Sequence, residues 1–288
     1  MSVNPEIEAK CREISTNYSA CDERSMIDKR LKNRQVSDAL LKLKIPQAGF
    51  LPDILPINHN NPNPEPLVAP LSTVLFVPKT PSASPSSPPA LATPVPAESN
   101  IPQTKHWTDL PPPGTIVLLQ QPQGQICAVC GDILATRLKV RGVKGIVADG
   151  RVRDIVALSE LCQPSRSPTG PASSSEGREG FTVWSRGTST VGTGLAAQAW
   201  CVNVPLCVPH NSPIIASSSS SETPSPSLQV QPGDVIVCDE GERGSVVIPL
   251  SKLDEVLNLL PGLKEADEKC IKDVESGVEV REAFRRHR

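Results

Sequence analysis

The chain has 288 residues, 38% of them hydrophobic and 3% aromatic, and its 29 basic and 31 acidic side chains give a net charge of −2. This balance supplies no overall positive field for nucleic-acid phosphates or anionic lipid, so a general nucleic-acid binder is disfavoured. Aliphatic runs such as Ile116–Leu119 are far shorter than the ~20 residues of a membrane span, and the acidic start lacks a signal-peptide pattern, which favours a cytoplasmic protein without a membrane partner.

The nine cysteines are scattered without regular spacing, unlike the disulfide framework of a secreted protein. They are typical of reduced cytosolic thiols. Cys127 and Cys130 have CxxC spacing, but the chain has no second such pair and no nearby histidine that would complete a zinc site. The pattern therefore favours two small strand or loop residues over a redox or metal site.

Prolines and serines concentrate in three stretches, at about residues 78–105, 163–180 and 210–227. These stretches cannot bury enough apolar surface to offset the entropy lost on ordering, so we predict solvated loops or disordered inserts. The remaining pieces are expected to build one core, which makes the whole chain, residues 1–288, a single interrupted domain.

Short β-rich runs and helical patterns alternate along these pieces and predict a mixed α/β fold. The predicted strands are Thr73–Val77, Thr115–Leu119, Gly145–Ala148, Phe181–Trp184, Val202–Val204, Val235–Cys238 and Ser245–Ile248. The predicted helices are Val36–Leu43, Asp132–Arg141, Gly194–Trp200 and a final helix from Ser251 to the C-terminus. In the final helix, Ser251 to Asp254 fits a capping box and Pro261-Gly262 predicts a break.

The segment from Gly131 to Asp154 contains the most specific pattern. A helix opening at Asp132, with Ile133, Leu134 and Leu138 near one apolar face, ends at Gly142, and a strand then returns over a similar length. This path predicts that Asp132, Arg153 and Asp154 meet at one end of the sheet.

That end would suit an anionic ligand and a hard cation. A helix start favours a bound carboxylate, and the Arg153 guanidinium can bind carboxylate or enolate oxygens at two points. The carboxylates of Asp132 and Asp154 match Mg²⁺ or Mn²⁺. From spacing alone, a surface ion pair between Arg153 and Asp154, with Asp132 as a helix cap, remains an alternative.

Several segments resemble the RraA-like superfamily, which contains 4-hydroxy-4-methyl-2-oxoglutarate aldolases, also active as oxaloacetate decarboxylases, and the regulator of ribonuclease E activity. Its enzyme branch is marked by Asp, twenty residues, then Arg-Asp, here Asp132, Arg153 and Asp154. The other matching segments are Ser37–Leu43, Gly131–Arg137, Arg141–Asp154, Asn203–Pro205, Gln231–Asp239, Glu265–Lys269 and Ala283–His287.

The resemblance implies a β/β/α sandwich of the swivelling-domain type, assembled as trimers or doubled trimers with the active site at a subunit boundary. It implies that the substrate, a small 2-oxo acid, contacts the backbone from Gly131 through Asp132 and Ile133 to Leu134. It further implies that Arg153 binds the same substrate and that Asp154 holds the metal. A charged block from Glu23 to Gln35 interrupts the family pattern, as an insertion or a mis-predicted exon boundary.

Other signals are weaker. The glycine-rich run from Gly187 to Gly194 lacks the lysine of a phosphate loop and predicts a strand-to-helix turn. The acidic run Asp239–Gly244 predicts solvated turn residues, although catalytic partners reaching a neighbouring subunit are an alternative. The basic residues of 137–144 predict a solvated helix face, because no aromatic residues are interleaved with them.

The leading hypothesis is a divalent-metal-dependent lyase that cleaves the C3–C4 bond of 2-oxo acids to give pyruvate, as an aldolase or as an oxaloacetate decarboxylase. Arg153 and Asp132 are its candidate catalytic residues and Asp154 its metal ligand. The alternative is a non-catalytic RraA-like regulator that binds a ribonuclease or RNA-processing partner. The sequence leaves open the physiological substrate, the general base, the choice of metal and the oligomer size.

Overall fold

The computed structural model describes residues 3–19, 33–57, 66–79, 92–163, 180–209 and 227–288. The helices are α1 (Pro5–Ser19), α2 (Asn33–Lys42), α3 (Asp132–Val140), α4 (Ile155–Leu161), α5 (Leu253–Glu275) and α6 (Val280–His287). The first strands are β1 (Leu55–Pro56), β2 (Leu67–Pro78), β3 (Ile116–Gln120), β4 (Ala128–Cys130), β5 (Gly145–Val152) and β6 (Thr182–Thr188). They are followed by β7 (Ala197–Val202), β8 (Leu206–Val208), β9 (Leu228–Val230), β10 (Val235–Asp239) and β11 (Gly244–Ile248).

Nine of these strands form one mixed sheet. Its order is β1-β6-β5-β3-β2-β10-β11, with β4 paired to β5 and β7 paired to β2, while β8 and β9 form a separate hairpin. Pairing is parallel among β2, β3, β5 and β6, and antiparallel where β10, β11 and β7 join. The predicted mixed α/β class is confirmed.

Three apolar clusters cover the faces of the sheet. One lies between the sheet and the β8–β9 hairpin and is centred on Trp184. The second, which we call the α3 cluster, packs α3 and α4 against β3, β5 and β6. The third, which we call the α1–α2–α5 cluster, packs those three helices against β10 and β11. The α3 cluster holds the C-terminal end of β5 beside the start of α3, and that position is where the candidate site lies.

The predicted helix at Gly194–Trp200 is wrong, because the chain there makes a 3₁₀ turn at Thr193–Leu195 and then strand β7. Alanine favours helix, but pairing with β2 supplies backbone hydrogen bonds that override this local preference. The predicted strand Val202–Val204 also ends early. Asn203 adopts φ 56°, and its N–H donates to the carbonyl of Thr73 at 2.8 Å.

The predicted break at Pro261-Gly262 is wrong as well, because α5 runs continuously from Leu253 to Glu275. A proline inside a helix costs about 3 kcal/mol. Leu260 and Leu263 flank it and are buried in the α1–α2–α5 cluster, and each buried leucine contributes about 1.5–3 kcal/mol. No side-chain cap precedes the helix, so the predicted capping box is also wrong.

Helix α1 was not predicted. Two of its described side chains, Cys11 and Ile14, are buried in the α1–α2–α5 cluster. Their spacing of three residues indicates that one face of the helix packs against the core. Most of the charged block 23–35 lies outside the described residues. Its last residues begin α2, where the Asn33 amide donates to the Gly244 carbonyl at 2.6 Å and Gln35 donates to Asp267 at 3.1 Å.

The predicted inserts lie mostly outside the described residues, at 80–91, 164–179 and 210–226. Residues 92–105 are described, and part of this loop is anchored rather than free in solvent. Asn100 bonds both the N–H and the carbonyl of Val202, at 2.8 and 2.7 Å, and the Trp200 indole donates to the Pro96 carbonyl at 2.8 Å. Hydrogen bonds to the backbone and the Trp200 side chain of β7 therefore anchor a stretch whose composition predicts a solvated loop.

Candidate functional site

The candidate site forms where β4, α3 and β5 converge. Gly131 is the N-cap of α3, Gly142 reverses the chain with φ 80°, and β5 returns to the start of the helix. The Arg153 N–H then donates to the Cys130 carbonyl at 3.0 Å, which ties the end of β5 to the end of β4. The out-and-back path predicted for this segment is confirmed.

The three predicted residues lie together at this end of the sheet, where Asp132 contributes its backbone N–H and Arg153 and Asp154 their side chains. An Asp154 carboxylate oxygen lies 3.4 Å from the Asp132 backbone nitrogen, which donates to it, and 3.3 Å from Nε of Arg153. The side chains of Arg153 and Asp154 are 42% and 38% exposed, so a ligand from solvent can reach both. We call Gly131, Asp132, Arg153 and Asp154 the rim site.

Glycine is required at position 131 by the packing of the rim site. A Cβ there would lie 2.4 Å from an Asp154 carboxylate oxygen, closer than real Cβ atoms approach, and a tight 3.1 Å from Arg153. Asp154 itself adopts left-handed φ 60°, ψ 45°, a conformation that costs a non-glycine residue about 1 kcal/mol or more. The surroundings hold this carboxylate in a fixed position against the helix start.

The glycine-rich run forms a wall of the site. It connects β6 to β7, so the predicted strand-to-helix turn is wrong and the connection runs from strand to strand. The Ala128 N–H donates to the Val191 carbonyl at 2.7 Å, and the Thr193 hydroxyl donates to the Ala128 carbonyl at 2.6 Å. A Cβ on Gly192 would lie 2.9 Å from a terminal nitrogen of Arg153, so the guanidinium rests directly over this glycine.

The predicted apolar face of α3 is partly wrong. Leu138 is buried and Leu134 packs against the α3 cluster, but Ile133 is 74% exposed and Ala135 occupies the buried position instead. The Asp132 carboxylate accepts a 2.6 Å hydrogen bond from the Ile133 N–H. A ligand that binds this backbone N–H must therefore displace the Asp132 side chain.

The Cys130 thiol lies buried beneath the site. Burial, followed by the nearby carboxylates of Asp132 and Asp154, raises the pKa of Cys130 to about 12. The eight cysteines that the structure describes carry free thiols. Cys127 and Cys130 are both buried, as expected of small packing residues rather than of a redox pair.

The rim site offers two carboxylates as metal ligands. Within the described ranges, no cluster of three or more His, Cys, Asp or Glu side chains suited to a metal ion occurs. Mg²⁺ binds through one or two carboxylates and otherwise keeps water or substrate oxygens. The exposed carboxylates of Asp132 and Asp154 fit that donor set.

The acidic turn and the basic run differ in detail from the solvated surfaces that the sequence predicts. Asp239 in the acidic turn is buried rather than solvated: it accepts a 3.1 Å hydrogen bond from the Glu242 N–H, and burial raises its pKa. In the basic run, Arg137 pairs with Asp109 at 2.6 Å and Lys139 donates to the Leu161 carbonyl at 2.5 Å. Both cations therefore have partners within the chain, although the Arg137 side chain stays half exposed.

Comparison with known families supports the resemblance at the level of the superfamily. The family described as RraA-like, Aldolase/RraA, matches residues 34–247, about three quarters of the chain and the whole rim site. The chain belongs to the RraA-like family.

Solved structures support the RraA-like fold. An uncharacterized protein from Pseudomonas syringae pv. tomato is 21% identical over 98% of both chains, with a TM-score of 0.59. Streptomyces coelicolor RraAS2, described as an unusual member of the RNase ES inhibitor RraA protein family, is 21% identical over 83% of this chain and 92% of its own, with a TM-score of 0.54. At this identity the likeness shows the fold alone.

This RraA-like chain also contains a cavity that the sequence did not predict. It has a volume of about 360 Å³ and lies beside the C-terminal ends of β3, β5 and β6. Its lining residues are Gln121, Pro122, Gln123, Gly124, Gln125, Asp149, Gly150, Arg151 and Arg186. We call it the Arg151 cavity. The available signal was the Arg-Val-Arg run, since Arg151 and Arg153 alternate along β5 and alternate strand residues share a face.

None of the helices in the described ranges is both long and apolar enough to cross a membrane.

Proposed function

We propose that this RraA-like protein is a divalent-metal-dependent lyase that cleaves the C3–C4 bond of 2-oxo acids carrying a second carboxylate. The substrates would be 4-hydroxy-4-methyl-2-oxoglutarate, oxaloacetate or both, and pyruvate the product. The observation that carries the proposal is the contact of Arg153, Asp154 and the backbone of Asp132 at the start of α3.

Arg153 would bind the substrate and stabilise charge. Its guanidinium lies over Gly192 and beside Gly131, where no side chain keeps a ligand at a distance. Breaking the C3–C4 bond leaves the electron pair on a pyruvate enolate, and a fixed cation beside the developing oxyanion lowers that barrier. The guanidinium fork also suits the 1-carboxylate of the substrate.

Asp154, assisted by Asp132, would hold Mg²⁺ or Mn²⁺. The cation would supply electron withdrawal from the 2-oxo group. Asp132 caps the Ile133 N–H from the exposed side of the helix start, where its carboxylate can orient water and transfer protons. Decarboxylation requires no base for a hydroxyl proton, so it needs fewer protein groups than aldol cleavage.

The assay is pyruvate release from oxaloacetate by the purified protein with Mg²⁺ and then with EDTA. Arg153→Ala and Asp154→Asn are expected to lower kcat/KM at least ~100-fold, while Arg137→Ala, a surface arginine of the same unit, serves as the control. Thermal unfolding confirms that the variants fold. Full activity in either rim-site variant, or activity unaffected by EDTA, contradicts the proposal.

We also propose a homo-oligomer, a trimer or hexamer, with the rim site at a subunit boundary. Ile133 and Val156 begin the two helices at the site and are 74% and 75% exposed, and Leu195 on the glycine-rich wall is 59% exposed. Apolar side chains grouped in this way are typical of an interface. Light scattering tests this: Ile133→Glu is expected to dissociate the oligomer, and a monomeric wild type contradicts it.

A second candidate function is that of a non-catalytic regulator of a ribonuclease. The likeness to RraAS2 favours it, since that protein is described as belonging to an RNase inhibitor family. This function predicts no pyruvate release and no effect of Asp154→Asn on partner binding. The oxaloacetate assay separates the two functions.

A further inference from the structure

The Arg151 cavity contains two guanidinium groups in different states. Arg186 is neutralised: its Nε pairs with Asp149, and it donates to the Pro52 carbonyl at 2.8 Å. Arg151 donates to the Thr188 carbonyl at 2.9 Å, and no carboxylate of the described residues pairs with it. The side chain of Arg151 is exposed. Arg151 is therefore the cation in this cavity that is available to an anionic ligand.

The cavity and the rim site are neighbours along β4 and the end of β5. Arg151 pairs with Ala128 of β4, and Arg153 bonds the Cys130 carbonyl at the end of the same short strand. The loop 121–125 that lines the cavity leads directly through β4 to Gly131. The two arginines are two residues apart on extended backbone, about 7 Å between Cα atoms.

Both guanidinium groups also lie over the glycine-rich segment. A Cβ on Gly187 would lie 3.0 Å from a terminal nitrogen of Arg151, and a Cβ on Gly192 would lie 2.9 Å from one of Arg153. The two glycines leave room for two cations, Arg151 near the end of β5 and Arg153 just after it. A ligand with two separated carboxylates matches such a pair.

We propose that Arg151 determines substrate specificity by binding the distal carboxylate of dicarboxylic aldol substrates, while Arg153 binds the 2-oxo end. This inference rests on the proposed lyase function and names the residue that selects among its substrates. Gln121 keeps the cavity in shape, because its amide donates to the Cys127 carbonyl at 2.6 Å and its oxygen accepts from the Arg151 N–H at 2.9 Å.

The chemistry distinguishes the two candidate substrates. In aldol cleavage of 4-hydroxy-4-methyl-2-oxoglutarate, the 4-hydroxyl loses its proton and C4 becomes a carbonyl. The C3–C4 electron pair passes to the enolate, which is protonated at C3 to give a second pyruvate. The distal carboxylate stays on the product throughout, so an ion pair with Arg151 does not oppose the reaction.

Oxaloacetate differs, because its second carboxylate leaves as CO₂. A guanidinium bound to that group stabilises the ground state and not the transition state, so it does not promote decarboxylation. Arg151 should therefore raise the preference for aldol substrates over oxaloacetate.

The test is steady-state kinetics with both substrates for the wild type, Arg151→Gln, Arg151→Lys and the surface control Arg137→Gln. Loss of one charge-assisted contact is expected to lower the aldol-to-decarboxylase ratio of kcat/KM by about 10- to 100-fold in Arg151→Gln, mainly through KM. Arg151→Lys should restore part of the ratio, and Arg137→Gln should leave it unchanged.

A second measurement needs no variant. The decarboxylase reaction of the wild type is inhibited with 2-oxoglutarate and, separately, with 2-oxopentanoate, which lacks the distal carboxylate. The dicarboxylate is expected to inhibit at least ~10-fold more tightly.

The outcomes separate the two proposals. No pyruvate from either substrate overturns the proposed function. Pyruvate from both substrates, with an unchanged ratio in Arg151→Gln or equal inhibition by the two oxo acids, overturns only the role of Arg151. Turnover of oxaloacetate without turnover of the aldol substrate also overturns the role of Arg151.

Discussion

The segment 131–154 and the segment 187–204 both border the candidate site, yet the sequence predicts only the first correctly. In the first, a helix and a strand of similar length lie next to each other in the chain, so local spacing alone brings Asp132 and Asp154 together. In the second, the partners of β7 are the 96–100 loop, about 100 residues earlier, and β2, which lies earlier still. Contacts between chain neighbours follow from the local pattern, whereas distant pairing overrides it.

Among the changes that test this comparison, the largest effect is expected at Gly131, which lies in the first segment and in the rim site. Gly131→Ala places a methyl group against the Asp154 carboxylate and Arg153, and a misplacement of about 1 Å costs on the order of 100-fold in kcat/KM. Pyruvate release measures it. Gly180→Ala, whose new methyl group meets only Leu67 at 3.8 Å, is the control. Equal activity in the two variants contradicts the close packing of the rim site.

The glycine-rich wall offers a matched pair. Gly192→Ala displaces the flexible end of Arg153 and is expected to lower kcat/KM about 10-fold with little change in the free energy of unfolding. Gly194→Ala meets only the Lys79 ammonium at 3.9 Å and should retain activity. If both variants behave alike, the wall does not position the guanidinium.

A substitution in the anchored 96–100 loop tests the contacts of β7 with distant parts of the chain. Asn100→Ala removes both hydrogen bonds to Val202 and is expected to lower the free energy of unfolding by about 2 kcal/mol. Chemical denaturation measures this. Gln229→Ala, which removes one exposed bond to Ser227, is the comparison and should change the free energy by less than ~0.5 kcal/mol. An unchanged free energy of unfolding in Asn100→Ala would contradict the anchoring and would indicate the solvated loop that the composition predicts.

Two glycines near the C-terminus give the smallest effect, with opposite signs. Gly262 lies inside α5 without positive φ, so Gly262→Ala is expected to stabilise the protein by about 1 kcal/mol. Gly277 has φ 93°, so Gly277→Ala is expected to destabilise it by a similar amount. No atom lies within 4 Å of either new methyl group, so the backbone alone decides. Destabilisation by Gly262→Ala would indicate that the helix breaks at Pro261 after all.

The sequence predicts the fold class, most of the strands and the meeting of three rim-site residues. It does not predict the Arg151 cavity, because the state of Arg151 depends on Asp149 pairing with Arg186 across β5 and β6. It also misplaces Ile133, because apolar periodicity cannot distinguish a residue facing the core from one exposed at the site. The role of a residue whose partner lies far along the chain can be assigned only from the structure.

The most direct test of the account is a crystal of the protein soaked with Mn²⁺ and oxalate, which mimics the pyruvate enolate. The account predicts an anomalous manganese peak in contact with the Asp154 carboxylate and an oxalate oxygen within hydrogen-bond distance of the Arg153 guanidinium. A manganese peak only elsewhere in the molecule, or oxalate bound away from Arg153, would contradict the assignment of the rim site.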